Sequence, residues 1–129
     1  MGYIEDLKNQ YKIPDDKLCE YKRGCSDALT LYTYNLGRRT KKPPMNYTLL
    51  LVPTEVLKDL VMQVDYVCQF PSFDAYHQYY KSKKELKMHE QIIPLILDRE
   101  FDCVIEDGWG RFHSYVEQGV TSIPCMVLE

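Results

Sequence analysis

The sequence predicts a small α+β fold: a mixed β-sheet with helices packed on it, preceded by a short helical N-terminal segment. Three observations carry this expectation. Apolar residues recur at helical spacing in several separate stretches, short runs of strand formers stand between them, and the last third reads strand, hairpin, helix, strand. The 129 residues suffice for one domain with a real core and are too few for two comfortable ones.

Tyr3, Ile4, Leu7 and Tyr11 share one helical face, which predicts a short amphipathic helix over 3–12. Pro14 followed by Asp15 and Asp16 starts a second short helix, with acids at its positive end and Gly24 at its exit. Residues 28–35 fit a strand or a helix equally. Gly-Arg-Arg-Thr-Lys-Lys-Pro-Pro at 37–44 is the clearest break, an exposed basic loop. The chain thus divides into an N-terminal helical extension with its basic loop, 1–45, and an α+β domain, 46–129.

Tyr47–Val52 predicts a strand. Pro53-Thr54 then opens a helix as far as Val64, with Thr54 as N-cap and Leu57, Leu60, Val61 and Val64 on the buried face. Ser72 caps the next helix, where Phe73, Tyr76, Tyr80 and Leu86 keep helical spacing, Tyr76 and Tyr80 inward and Tyr79 outward. Its basic tail of Lys81, Lys83, Lys84 and Lys87 complements the negative helix end. Strands over 91–97 and 101–106 flank a tight turn at 98–100. Asp107-Gly108-Trp109-Gly110 leads into a helix that buries Phe112, Tyr115 and Val116 and ends at Gly119. Ile123–Leu128 is the closing strand.

Composition narrows the classes. Apolar residues are 45% and charged residues 27% of the chain, which excludes a disordered or fibrous protein. Sixteen basic against nineteen acidic residues leave a net charge of −3, which argues against nucleic-acid binding over the whole surface and leaves room for a local basic patch. The apolar runs Leu49–Val52 and Ile92–Leu97, the latter broken by Pro94, fall far short of the roughly 20 residues of a membrane-spanning helix. The acidic N-terminus lacks the layout of a secretion signal, and Asp6 stands where a myristoylation signal wants Ser or Thr. Five cysteines, Cys19, Cys25, Cys68, Cys103 and Cys125, form no CxxC pair and read as reduced structural thiols. The expected location is cytoplasmic.

Most of the chemical signal lies between Pro94 and Val127. A strand ends in Asp107-Gly108, and Arg111 falls in the first turn of the following helix. Gly108 and Gly110 allow close backbone approach, the helix N-terminus offers free N–H groups, and an arginine clamps phosphate bidentately. This is an anion site in outline. Arg111 paired with Glu106 or Asp107 is the structural alternative.

The stretch resembles the ParB/sulfiredoxin-like superfamily. The matching residues are Pro94-Leu95-Ile96, Val104-Ile105-Glu106-Asp107-Gly108, Arg111, Ser114, Gly119, and Ile123-Pro124 with Val127, and a looser match at Val52-Pro53 and Leu57 extends it over 47–129. The resemblance implies a small mixed sheet whose Gly-x-x-Arg turn holds nucleotide phosphates. It carries Gly108 and Arg111 over as phosphate contacts and Asp107 as a polar support or metal neighbour, while Trp109 and Gly110 join the candidate ligand-binding residues on their own chemistry. It implies a nucleoside triphosphate with Mg2+ as cofactor. Trp109 and Gly110 stand where relatives carry Glu-Arg, His-His or Cys-His, so the cysteine of the family's sulfinic-acid reductase is missing and that chemistry is excluded by analogy.

Other candidates have plainer readings beside the functional one. Trp109 packs on the sheet or stacks a base. Arg38, Arg39, Lys41 and Lys42 form a solvated charge run or grip phosphates of a nucleic acid or partner. The tyrosines beside the Lys81–Lys87 tail are a packed aromatic stripe or a binding face. His77 and His89 lack partners at metal-ligand spacing, and His113, two residues past Arg111, reads as a surface histidine.

Two functions follow. The first is a stand-alone domain that binds a nucleotide or other phosphorylated ligand, with Glu106, Asp107 and Arg111 as candidate catalytic residues for phosphoryl transfer or hydrolysis, and His89 as a further base. The second is a non-catalytic module for protein or nucleic acid. A metal-dependent nuclease is weaker, because strand alternation separates Asp98, Glu100, Asp102, Glu106 and Asp107. No helix-turn-helix is apparent in the first 45 residues, and a short stand-alone form suits a bacteriophage or mobile element.

Overall fold

The structure is a computed structural model that describes residues 3–21, 47–88, 93–98 and 104–128. The basic loop at 37–44, the ambiguous stretch at 28–35, the turn at 98–100, Gly24, Cys25, His89 and Cys103 lie wholly or partly outside the described residues.

A four-stranded mixed sheet organises the chain. Strands β1 (Tyr47–Pro53), β2 (Leu95–Leu97), β3 (Ile105–Asp107) and β4 (Ser122–Leu128) lie in the order β1-β4-β2-β3. β4 pairs antiparallel with β1 and parallel with β2, and β3 closes antiparallel on β2. Of the strand expected over 91–97, 91–92 lie outside the described residues and β2 takes up Leu95–Leu97, after Pro94, which has no N–H to give a ladder. Of the strand expected over 101–106, 101–103 lie outside the described residues and Val104 is a bend; β3 starts at Ile105 and runs to Asp107, which pairs with Ile96. Pro124 is tolerated in β4 because it faces Leu51 just before β2 joins at Cys125, where that side of the strand is still an edge.

Alternation along the strands sorts side chains into two cores. Leu50, Val52, Leu95, Leu97, Ile105, Ile123, Cys125 and Val127 face the main one. Helices α1 (Tyr3–Tyr11), α2 (Thr54–Val61), α3 (Phe73–Lys83) and α4 (Trp109–Glu117) cover it with Ile4 and Leu7, Leu57 and Val61, Tyr76, and Phe112 and Tyr115. Leu49, Ile96, Met126 and Leu128 face the other way, against Ile13, with Leu18 and Tyr21 partly buried beside them. These follow a short 3-10 turn, Asp15–Lys17. β4 is covered on both faces, which is why it reads as a continuous apolar run.

Helix ends decide the local geometry. Ser72 Oγ accepts from the Ala75 N–H, as expected of an N-cap. Thr54 is not a cap. Pro53 holds that position, and Thr54, the first helical residue, turns its hydroxyl inward to donate to the Val120 carbonyl at 2.6 Å. Its N–H donates to the Thr121 carbonyl at 2.8 Å, so α2 is pinned to the segment entering β4. α2 stops at Val61 rather than Val64, because Gln63 and Val64 already take the tighter bonds to carbonyls three residues back. α3 likewise ends at Lys83, before Leu86. α4 ends at Glu117, and the chain leaves it through Gly119, at φ 75°, with Gly119 N–H on Val116 O and Val120 N–H on Tyr115 O. No described helix is long and apolar enough to cross a membrane.

Candidate anion-binding site

α4 starts from a turn that only glycine fits. Gly108 sits at φ 107°, and a Cβ there would stand 2.8 Å from Arg111 Nη2 and 2.9 Å from Leu95 Cδ2. The absence of a side chain is what lets the Arg111 guanidinium fold back under the turn. Gly110 is different: a Cβ there meets only Tyr80 Oη, at 3.8 Å, ordinary contact.

Arg111 Nε and Nη2 are buried and have no hydrogen-bond partner among the described residues. Neither Glu106 nor Asp107 takes up this pair of donors. Glu106 is exposed and Asp107 half-buried on β3, the edge strand. The rest of Arg111 borders a cavity of about 360 Å³ between α3 with its tail and the start of α4, walled by Tyr80, Lys84, Glu85, Leu86, Lys87, Gly110 and Ser114. Three cations face one acid there, in a chain of net charge −3. Ser114 Oγ donates to the Gly110 carbonyl at 2.9 Å, and Lys84 Nζ lies 5.6 Å above the Tyr80 ring. A second cleft, of about 540 Å³ beside Tyr21, Leu51 and Pro124, has Glu20 as its one charged wall among the described residues, which does not suit an anion.

The structure therefore brings Gly108, Gly110 and Arg111 together with Lys84 and Lys87. Trp109 is partly buried and packs on the main core. Glu106 and Asp107 are not among the residues that wall the cavity. Arg38, Arg39, Lys41 and Lys42 lie outside the described residues.

Behind Tyr80, which walls the cavity, lies a buried cluster that spacing alone does not reveal. His113 is fully buried, not on the surface, and His77 is 3% exposed. The reason is that α4 is covered twice: Phe112 and Tyr115 face the sheet, while the His113 side is closed by α3. His113 stacks on Tyr80 with ring centroids 3.7 Å apart. Its Nδ1 lies 2.8 Å from His77 Nδ1, and its Nε2 lies 3.4 Å from Tyr76 Oη. His77 Nε2 donates to Glu117 Oε1 at 2.8 Å, and Lys81 Nζ lies 2.9 Å from the same oxygen. Burial, and then the neighbouring His77 charge, lower the His113 pKa to about 3. Hydrogen bonds from Lys81 and then His77 hold Glu117 below the usual carboxylate range. Burial and the nearby Tyr66 raise the Tyr80 phenol. The signal in the sequence was the pairing of Phe73 with His77 and His113 with Glu117, each four residues apart beside an inward aromatic.

Two further buried polar groups lie near the site, one tying α4 to the sheet and one within β4. Tyr115 Oη donates to the Ile93 carbonyl and accepts from the Ile93 N–H, both at 2.8 Å, which ties the helix to the approach of β2. The Cys125 thiol is fully buried, and burial alone pushes its pKa up, as for an inert structural thiol.

Compared with protein-family models, curated proteins and solved structures, the chain matches none. What fold and site define together is a small α+β protein with a basic cavity at a glycine-turn helix start.

Proposed function

We propose that this chain binds a phosphorylated ligand, a nucleotide first among them, in the cavity at Arg111. The observation that carries the reading is the pair of buried, unanswered donors on the Arg111 guanidinium. A guanidinium cannot shed its charge, and each buried donor left unpaired costs about 1–3 kcal/mol. Nε and Nη2 form one edge of the group, the edge that takes two oxygens of a phosphate at once. That edge rests under the Gly108 turn. An arriving anion gives it a better partner, and the side chain turns that edge into the cavity. Lys84 and Lys87 add charge at the cavity wall, which fits the several phosphates of a nucleoside triphosphate.

Binding is favoured over turnover, because the acids in question, Glu106 and Asp107, do not wall the cavity and Glu85 does. The likeness of the Asp-Gly-x-x-Arg turn to ParB-like domains points the same way. A Mg2+ ion bridging the phosphates would draw on Glu85, the acid at the cavity wall, rather than on Asp107, and is tested by its own arm. The experiment is thermal unfolding with ATP, CTP, GTP, sulfate or a short DNA, each with and without magnesium. A ligand at a hundred times its dissociation constant adds about 2.7 kcal/mol of stability. The expected result is a shift with a nucleotide that Arg111→Ala abolishes. No shift with any of these ligands removes the anion reading and leaves a protein-binding module.

A further inference from the structure

α3 and α4 are joined by a buried polar chain that anion binding does not use. Its rings are nearly coplanar, 4° apart, with Nδ1 facing Nδ1. Glu117 lies at the far nitrogen of His77, so the three groups do not converge on a point where a metal ion would sit.

We propose that the His77–His113 pair is an acid-released latch that fixes α3 against α4 and thereby sets the width of the cavity at Arg111. Only the consequence for the cavity rests on the anion reading; the latch stands by itself.

Proton counting gives the mechanism. With one proton on each ring, His77 Nε2–H donates to Glu117, which can only accept. His77 Nδ1 then accepts from His113 Nδ1–H, and His113 Nε2 accepts from Tyr76. One added proton is absorbed without breaking the bond: His77 becomes the donor, and His113 carries its hydrogen on Nε2. A second added proton sets N–H against N–H, and two cations repel.

The surroundings do not rescue that second charge. From α3 the pair faces Tyr76, Tyr80 and Lys81, and from α4 it faces Glu117. Tyr66 lies 3.2 Å from Tyr76 Oη, and Lys58 of α2 lies over Phe73, which stacks on both histidines. Glu117 is the one acid among these groups, and Lys81 already shares it. His113 in place holds off its proton to about pH 3, whereas the same ring released to water takes one near 6.5. Opening therefore takes up a proton at any pH between, and the open fraction rises tenfold for each unit below 6.5.

The link to the cavity is Tyr80. One ring stacks on His113 and walls the cavity, while Gly110, Arg111 and Ser114 of α4 form the opposite wall. Parting the helices parts the walls.

The test is backbone amide hydrogen exchange between pH 7.5 and 4.5, corrected for the intrinsic rate. The latch predicts that α3 amides open ahead of those in β4, with opening rising about tenfold per pH unit below 6.5. His113→Phe keeps the ring stack and removes the titration, and it is expected to flatten that slope. A flat slope in the unaltered protein, or α3 and β4 exchanging together at every pH, overturns the latch whether or not the variant folds. Sulfate, whose charge is constant over this range, separates the two readings. At ten times its dissociation constant it should suppress α3 opening about tenfold. A slope without any sulfate effect keeps the latch and removes the anion site; a sulfate effect without a slope does the reverse.

Discussion

Replacing Gly108 by alanine should cost the fold more than any other single added methyl near the cavity. Two separate penalties add. A residue with a Cβ at φ 107° is strained by about 1–3 kcal/mol. The Cβ also meets Arg111 Nη2 at 2.8 Å and Leu95 Cδ2 at 2.9 Å, and overpacking of this kind costs about 1–3 kcal/mol. Arg111 can swing away, but Leu95 belongs to the central part of the sheet and cannot, so about 3 kcal/mol is expected, a drop of about 10 °C in Tm at this chain length. The control is two residues on. Gly110→Ala has room, with Tyr80 Oη at 3.8 Å, and replaces glycine inside a helix, which should stabilise by about 0.5–1 kcal/mol. Thermal unfolding by circular dichroism reads both. The reasoning is wrong if Gly108→Ala melts within 2–3 °C of the parent, a shift worth less than about 1 kcal/mol, or if the two variants move in the same direction.

Stability should also fall in acid through His113. Its folded pKa is depressed to about 3 from 6.5, so its contribution is complete above 6.5 and is lost as pH falls from there toward 3. At about 1.4 kcal/mol per unit, denaturant unfolding should lose about 2 kcal/mol between pH 6.5 and 5, and His113→Phe should lose less over the same interval. Thr54→Val keeps the shape and removes the 2.6 Å bond to the Val120 carbonyl, leaving a partly buried acceptor unpaired. A loss of about 1–3 kcal/mol in urea unfolding is expected, and no loss means the carbonyl finds another partner. Ser72→Ala removes the cap on the Ala75 N–H and should cost about 1 kcal/mol, while Ser72→Gly should cost only a few tenths.

The parts of the fold that were legible in the sequence are those where one physical rule acts alone. Ser72 followed by the helical spacing of Phe73, Tyr76 and Tyr80 defines α3, and Gly119 marks the end of α4. β1 and β4 follow from runs of apolar strand formers. Errors came where tertiary packing overrode a local rule. Thr54 has the chemistry of a cap, yet the nearby Val120 carbonyl offers its hydroxyl a buried bond, and Pro53 takes the cap position. The angle of His113 from Arg111 points it away from the site toward solvent, and the angle is right. What spacing does not carry is that α3 lies on that second face. The Gly108 and Arg111 pair was visible as residue types, but Lys84 and Lys87 join it only because the tail of α3 returns past the start of α4.

The most direct measurement concerns Arg111 itself, through substitution by methionine, which keeps most of the volume and removes the charge and the unanswered donors. If the guanidinium is held in reserve for an anion, ligand-free Arg111→Met should melt higher than the parent, by about 1–2 kcal/mol of stability, since a buried unpaired group is gone. The same variant should lose all stabilisation by sulfate and by nucleotide. A variant that melts lower than the parent, or one that sulfate stabilises as strongly as before, would contradict the account.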